Sequence, residues 1–257
     1  MGNCPWVSGA SPGSCSGSAD RLQISMGRRR PQRSGALSQA RTGLPRRYPH
    51  GYIHGSRAKW WQKLDSQEWD QRYAGAELVW TAQPNRFVVE ELQALPPGRA
   101  LDVGAGEGRN AVWLASRGWQ VTAVDFSAVG LDKGRRLARA RGLAIDWVHA
   151  DLRDYQPEEG SFQLVLIAYL QLCEAELDGV LRRAAAALAP AGVLLVVGHD
   201  VTNLTEGAGG PPDPAVLYTP ESITHALGGL SVVRAERVRR PVGTGQAVDT
   251  LVRAVRA

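Results

Sequence analysis

The chain has 257 residues, 44% of them hydrophobic, with 30 Lys and Arg against 25 Asp and Glu and three Cys, which fits one ordinary domain plus an appendage. Its most apolar runs, Phe162 to Leu172 and Val193 to Gly198, fall far short of the ~20 residues a spanning helix needs, so a membrane-spanning role is excluded. Cys4, Cys15 and Cys173 are too few and scattered for a disulfide framework or a cysteine metal site, a usage that suits a cytoplasmic protein.

The net charge of +5 hides two parts. Residues 1–63 carry 11 basic side chains and one acid, whereas residues 64–257 carry 19 and 24. Nine Gly, nine Ser and five Pro crowd residues 1–57, with too little apolar surface to offset the entropy of ordering, so a disordered basic tail is expected there. It lacks the apolar core of a secretory signal, Trp6 stands where a myristoylation site wants Ser or Thr, and its Gly and Pro would break the helix of a transit peptide. The cluster Arg28-Arg29-Arg30-Pro31-Gln32-Arg33 has two readings. It can contact nucleic-acid phosphates, or it is a solvated extension, even a gene start placed upstream of Met26. No aromatic residue interleaves the arginines as a stacking platform would require, which favours the second.

Order is expected from residue 58, with 58–98 as a helical leading segment and 99–257 as the main domain. Trp60-Trp61 and Trp69-Asp70-Gln71-Arg72-Tyr73 lie in a helix-compatible stretch dense in aromatics. Val88, Leu92 and Leu95 share a helical face over Phe87 to Leu95, and Pro96-Pro97-Gly98 ends it. Ala100 to Val103 reads as a strand, Arg109 to Ser116 as a helix, Val121 to Val124 as a strand, 127–141 as a basic-faced helix and Ile145 to His149 as a third strand. Phe162 to Ala168 is the fourth strand. Leu177, Val180, Leu181, Ala184 and Leu188 then mark a helix stopped by Pro190-Ala191-Gly192, before a fifth strand from Val193 to Gly198. A helix over Pro220 to Leu227 precedes strands at Val232 to Val238 and Thr250 to Val255. This alternation predicts a doubly wound, mostly parallel seven-stranded α/β sheet. The last two strands, joined by about a dozen residues, should form an antiparallel hairpin.

Between the first strand and its helix runs Asp102-Val103-Gly104-Ala105-Gly106-Glu107-Gly108-Arg109-Asn110. Glycine there permits a tight turn and lets a ligand touch bare backbone, at the carboxyl edge where open α/β sheets bind ligands. Asp125 ends the second strand and Asp151 follows the third. Asp125 can accept from two ribose hydroxyls and Asp151 from an adenine amino group; equally, the glycines can be plain turn geometry and Asp125 a helix cap. A dinucleotide enzyme would show G-x-G-x-x-G, but this loop reads D-x-G-x-G-x-G.

That loop, Asp125 and the Ala150-Asp151-Leu152 turn resemble class I S-adenosylmethionine-dependent methyltransferases, over about residues 69–257, with a Rossmann-like sheet. The resemblance implies the run Asp102 to Gly108, with Gly104, Ala105 and Gly106, around the methionyl moiety, Asn110 as a further cofactor contact and Asp125 on the ribose. It implies Phe126 and Ser127 beside the adenine, Asp151 and Leu152 at its edge, and Ile167, Ala168 and Tyr169 under the sulfonium. Within that class, Gly106 to Asn110 followed by Trp113-Leu114-Ala115, with the Trp69-to-Tyr73 element, is similar to the tellurite-resistance and thiopurine branch. The acceptor it implies is a small molecule, a thiol, a chalcogen oxyanion or the like. Trp69 and Tyr73 would then form a lid across the cofactor pocket.

Base-modifying amine methyltransferases usually place Asn or Asp before Pro-Pro-aromatic after the fourth strand; Ile167-Ala168-Tyr169-Leu170 stands there instead, which weighs against a nucleobase amine. The acidic balance of residues 64–257 gives no footprint for a phosphate backbone. Nucleic acid is therefore disfavoured as a partner. An RNA or protein methyltransferase recruited by the tail, and a non-catalytic cofactor-binding module, remain alternatives. His199, after the fifth strand, is the candidate base, or else a surface histidine. Arg239 and Arg240, read as ending the penultimate strand, can hold an anionic acceptor, although solvated arginines account for them as well. Cys173 reads as a buried small residue. The other histidines show no metal-ligand spacing, so no metal is expected.

Overall fold

The computed structural model describes residues 65–257; the expectations for the tail, Trp60 and Trp61 lie outside the described residues. Chain order is α1 (Ser66–Tyr73), α2 (Arg86–Leu92), β1 (Arg99–Val103), α3 (Arg109–Ser116), β2 (Gln120–Asp125), α4 (Ala128–Ala140), β3 (Asp146–His149) and β4 (Phe162–Ala168). Then come α5 (Glu174–Ala187), β5 (Leu188–His199), α6 (Asn203–Glu206), a 3-10 turn (Pro214–Val216), α7 (Pro220–Ala226), β6 (Ser231–Val242) and β7 (Gly245–Val255).

The seven strands form one sheet in the order β3-β2-β1-β4-β5-β7-β6. β7 alone runs against its neighbours. Strand order reverses between β1 and β4, the switch point at which open α/β sheets leave a crevice. Alternate side chains enter two cores, as a period of two requires. Leu101, Val103, Val165, Ile167, Leu194 and Val196 pack with Leu177, Leu181 and Ile223 on one face; Ala100, Leu164, Leu166, Leu195 and Val197 pack with Val88, Leu92, Ala111 and Leu114 on the other. No helix among the described residues is long and apolar enough to cross a membrane.

Two boundaries differ from the sequence reading. Leu188, expected on the helical face, opens β5 instead: it is fully buried and pairs with Phe162, and the register slips before Leu164 meets Val193. The Pro190-Ala191-Gly192 segment bulges inside β5, with Ala191 at φ 61°. A Cβ on Gly192 would stand 2.8 Å from the Ala189 carbonyl oxygen and 2.9 Å from that of Phe162, so glycine is required by contact. The terminal hairpin is also tighter than expected, because β6 and β7 run on to Val242 and Gly245 and leave Gly243-Thr244 as the turn. Arg239 and Arg240 therefore lie inside β6, and His199 is paired across β5 and β7 with Asp249.

Where α3 and α4 meet above β3, two glycines make room for one indole. A Cβ on Gly108 would come 2.4 Å from the Trp147 ring, and one on Gly134 2.5 Å. Gly108 also sits at φ 75°, where a side chain costs about 1–2 kcal/mol by itself. Gly108→Ala should destabilise the protein by about 2 kcal/mol or more in denaturant titration. Adding Trp147→Leu should recover the overpacking part and leave the backbone part. Unchanged stability of Gly108→Ala would contradict this packing.

Candidate active site

At the carboxyl edge of the sheet the structure opens a cavity of about 970 Å³, at the upper end of the ~300–1,000 Å³ of small-molecule sites. Its floor is the turn after β1. The Gly104 and Ala105 amides donate to the Val124 carbonyl at 2.9 and 3.0 Å, and Gly104 and Gly106 adopt φ 77° and 55°. Asp125 fixes the turn: its Oδ2 accepts from the Gly106 amide at 2.7 Å and its Oδ1 from the Ser127 amide at 2.8 Å. Burial pushes the Asp125 carboxyl up to about 6, against the lowering pull of those two amides. Under the turn, Asp102 is pushed up to about 7 by burial and then by the Asp125 charge, while the Ala111 amide and Arg109 pull the other way. Its Oδ2 is buried without a partner.

A second cluster lines the wall at the ends of β4, β5 and β6. Tyr169 takes φ 60°, an uncommon region for a non-glycine residue. Its hydroxyl donates to Asp249 Oδ2 at 2.7 Å and accepts from Arg240 Nε at 2.9 Å and Asn85 Nδ2 at 3.2 Å. One donor and two lone pairs are thereby all used. The Tyr169 ring meets His199 edge-on at 4.8 Å. His199 Nδ1 lies 3.3 Å from Asp249 Oδ1, leaving Nε2 as the remaining ring nitrogen. Burial works to raise Asp249, but His199, Arg240 and Tyr169 outweigh it and hold the carboxyl below its ordinary range.

Of the residues singled out from sequence, Gly104, Ala105, Gly106, Asn110, Asp125, Phe126, Asp151, Leu152, Ala168, Tyr169, His199, Arg240, Trp69 and Tyr73 line the cavity. Four do not. Asp102 is sealed beneath the turn. Gly108 packs on Trp147. Ser127 is fully buried as the N-cap of α4, accepting from the Gly130 amide at 3.0 Å and donating to Asp70 at 2.5 Å. Ile167 points into the core beneath β4. Among those on the wall, the Asn110 side chain is committed to the Asn85 amide, and Arg153 grips both Asp151 oxygens, holding that carboxyl low. Arg239 is exposed and pairs with Glu206, but Arg240 is largely covered and pairs with Asp249, so the solvated account fails for Arg240. Cys173 is half-buried at the cavity wall rather than buried in the core.

The sequence reading missed Asp249, Asn85, Arg109 and the Glu107–Lys133 pair. A lone acid within the apolar run Ala247 to Val252 was the signal for Asp249. Glu107 turns away from a ligand role: it accepts from the Val79 and Trp80 amides at 3.1 and 3.0 Å and from Lys133 Nζ at 3.0 Å. Lys133 also donates to the Glu77 carbonyl at 2.6 Å. This buried pair straps the leading segment over the cavity, and the Tyr73 hydroxyl lies where a Cβ on Gly106 would be only 2.8 Å away. Among the described residues, no group of three or more His, Cys, Asp or Glu is arranged to hold a metal ion.

Residues 100–192 match the family model described as "Methyltransferase domain". The matched segment runs from β1 into β5. A demethylmenaquinone methyltransferase of Thermus thermophilus is 33% identical over 125 residues, 48% of this chain and 55% of that protein. A tRNA 5-carboxymethoxyuridine methyltransferase of Escherichia coli K12 is 31% identical over 109 residues, 41% and 42% of the two chains. The chain thus spans about half the length of these curated relatives. TehB from Haemophilus influenzae superposes with a TM-score of 0.58 at 14% identity, over 75% of this chain and 67% of that one. The sheet order and this superposition show a Rossmann-like fold.

The raised Asp102 gives a test of the floor. An acid whose folded value lies above its ordinary 3.8 costs nothing when protonated in both states, and its full cost appears once the pH passes the folded value. Asp102→Asn, which can still accept from the Ala111 amide, should therefore be more stable than the parent near pH 8, by up to about 4 kcal/mol. The advantage should fade toward about pH 4. Thermal melts showing an equal difference at both pH values would contradict the assignment.

Proposed function

We propose that the protein is an S-adenosylmethionine-dependent methyltransferase that acts on a small-molecule acceptor and removes its proton through His199. The observation that carries this reading is one cavity with two unlike parts, a glycine turn held by Asp125 and a histidine backed by a buried carboxylate. Its volume leaves space for a nucleoside-sized cofactor and a second small molecule together.

The residues fit the cofactor. Each Asp125 oxygen keeps a lone pair beyond its amide contact, enough to accept from the ribose hydroxyls. Phe126 and Leu152 offer apolar flanks to the adenine, with Asp151 at its edge. Gly104 and Gly106 bring bare backbone to the methionyl part, and the unpartnered Asp102 oxygen beneath them favours positive charge overhead. When bound, S-adenosylmethionine supplies a methyl carbon activated by its sulfonium. The protein then has to hold the acceptor in line, exclude water and take up a proton where the nucleophile carries one. His199 Nε2 is the group for that proton, with Asp249 stabilising the imidazolium that forms. Tyr169 cannot serve, because its hydroxyl is fully engaged. Trp69 and Tyr73, stacked at 5.3 Å, cover the turn as the water-excluding lid.

The tRNA relative favours a second reading, an RNA acceptor, against which stands the acidic balance of residues 64–257. Transfer of labelled methyl to thiols, phenols, selenite, tellurite and bulk RNA separates the two. Turnover of a small acceptor is expected; label entering RNA alone would overturn the small-molecule reading. With a protonated acceptor, His199→Gln should lower turnover about 100-fold with little change in S-adenosylhomocysteine affinity. Full activity of His199→Gln at neutral pH would remove His199 from the chemistry.

A further inference from the structure

Among the described residues, four arginines line the cavity: Arg86, Arg109, Arg153 and Arg240. Arg86 is paired with Glu90, and Arg153 with Asp151 and Glu176. The other two are different. Arg240 spends only Nε on its neighbours, at 2.6 Å from Asp249 Oδ2 and 2.9 Å from the Tyr169 hydroxyl, so both terminal nitrogens of its fork lack an acceptor among the described residues. Arg109 donates no hydrogen bond to any described residue, and its guanidinium lies 5.9 Å from the centre of the Trp80 ring.

We propose that the acceptor is anionic, bearing a carboxylate or a comparable oxyanion that is gripped by the guanidinium forks of Arg109 and Arg240 beside Tyr169 and His199. This deepens the methyltransferase reading and rests on it. A guanidinium withdrawn from water is costly unless an anion answers it. Asp249 answers Arg240 in an ion pair, whereas Arg109 feels Asp102 beneath the turn but forms no ion pair with a described residue. Both guanidinium groups line the same cavity; burial depresses Arg109, with Tyr169 pulling it up and Arg240 pushing it further down. A planar two-oxygen anion matches a fork bidentately, whereas a neutral acceptor would leave both forks unanswered. The Tyr169 ring, 5.3 Å from the Arg240 guanidinium carbon, joins this anion site to His199. The bound anion would thus place the nucleophile of the same molecule near the base.

The test is calorimetry on the full chain saturated with S-adenosylhomocysteine, titrated with benzoate, with benzyl alcohol as its neutral counterpart, and with selenite. Benzoate or selenite is expected to bind at least about tenfold more tightly than benzyl alcohol; benzoate marks an organic carboxylate and selenite an inorganic oxyanion. Arg109→Lys and Arg240→Lys should each weaken the favoured anion about tenfold while S-adenosylhomocysteine affinity, the check on folding, stays unchanged. Arg239→Gln, on the exposed side of β6, should alter neither. Equal binding of benzoate and benzyl alcohol, failure of both anions to bind, or anion binding seen only without S-adenosylhomocysteine would overturn the proposal. The last would mean that the forks serve the cofactor's own carboxylate. Failure of S-adenosylhomocysteine to bind at all would count against the methyltransferase reading instead.

Discussion

The Asp125 carboxylate is the point on which the cavity depends. It sits at the end of β2, and by accepting the Gly106 and Ser127 amides it ties the turn after β1 to the start of α4. Two backbone donors that would otherwise be buried without acceptors are satisfied by one side chain. The left-handed glycines follow from that geometry, since the chain must double back within a few residues to bring Gly106 onto the carboxylate. A buried acid held by amides alone keeps a raised affinity for protons, and that same property suits it to hydroxyl donors or a nearby cation.

Around this point the rest of the site is assembled from distant parts of the chain. Glu107, one residue past Gly106, pairs with buried Lys133 and accepts from the amides of Val79 and Trp80. It therefore couples the floor to the segment that covers it. From the far side, β7 runs antiparallel beside β5 and sets Asp249 opposite His199. An all-parallel neighbour would need a crossover at this edge; the hairpin instead delivers an acid to the histidine and an arginine from β6 to the same acid. Asn85 caps α2, accepting from the Phe87 amide at 2.8 Å, and reaches Tyr169 as well, so the covering segment and the histidine cluster share a hydrogen-bond network.

Much of the fold was legible because local pattern and tertiary need agree there. α3 and β4 have the ends expected of them, since apolar runs bounded by glycine or polar turns leave few alternatives. Leu188 was misread because its spacing suits a helix while its burial against Phe162 is a tertiary fact. The hairpin strands were read short because β6 is exposed along most of its length and has no alternation to follow. For the site, the loop motif located the cavity but not the direction of each side chain, which is why Gly108, Ser127, Asp102 and Ile167 belong to its support. The partnership of His199 with Asp249 depends on strand register across 50 residues, and no local pattern encodes that. The placement of Arg240 depends on the separate β6–β7 register, in which it stands opposite Ala247.

The central claim is that the Asp125-held turn is a cofactor floor, and direct calorimetry of S-adenosylhomocysteine binding tests it most closely. The account predicts saturable binding to the parent and a loss of at least about tenfold in Asp125→Ala, because charge-assisted hydrogen bonds worth about 1.5–3 kcal/mol disappear. Circular dichroism verifies that the variant is folded. Unchanged affinity in a folded Asp125→Ala protein, or tighter binding of a nicotinamide dinucleotide than of S-adenosylhomocysteine by the parent, would contradict it.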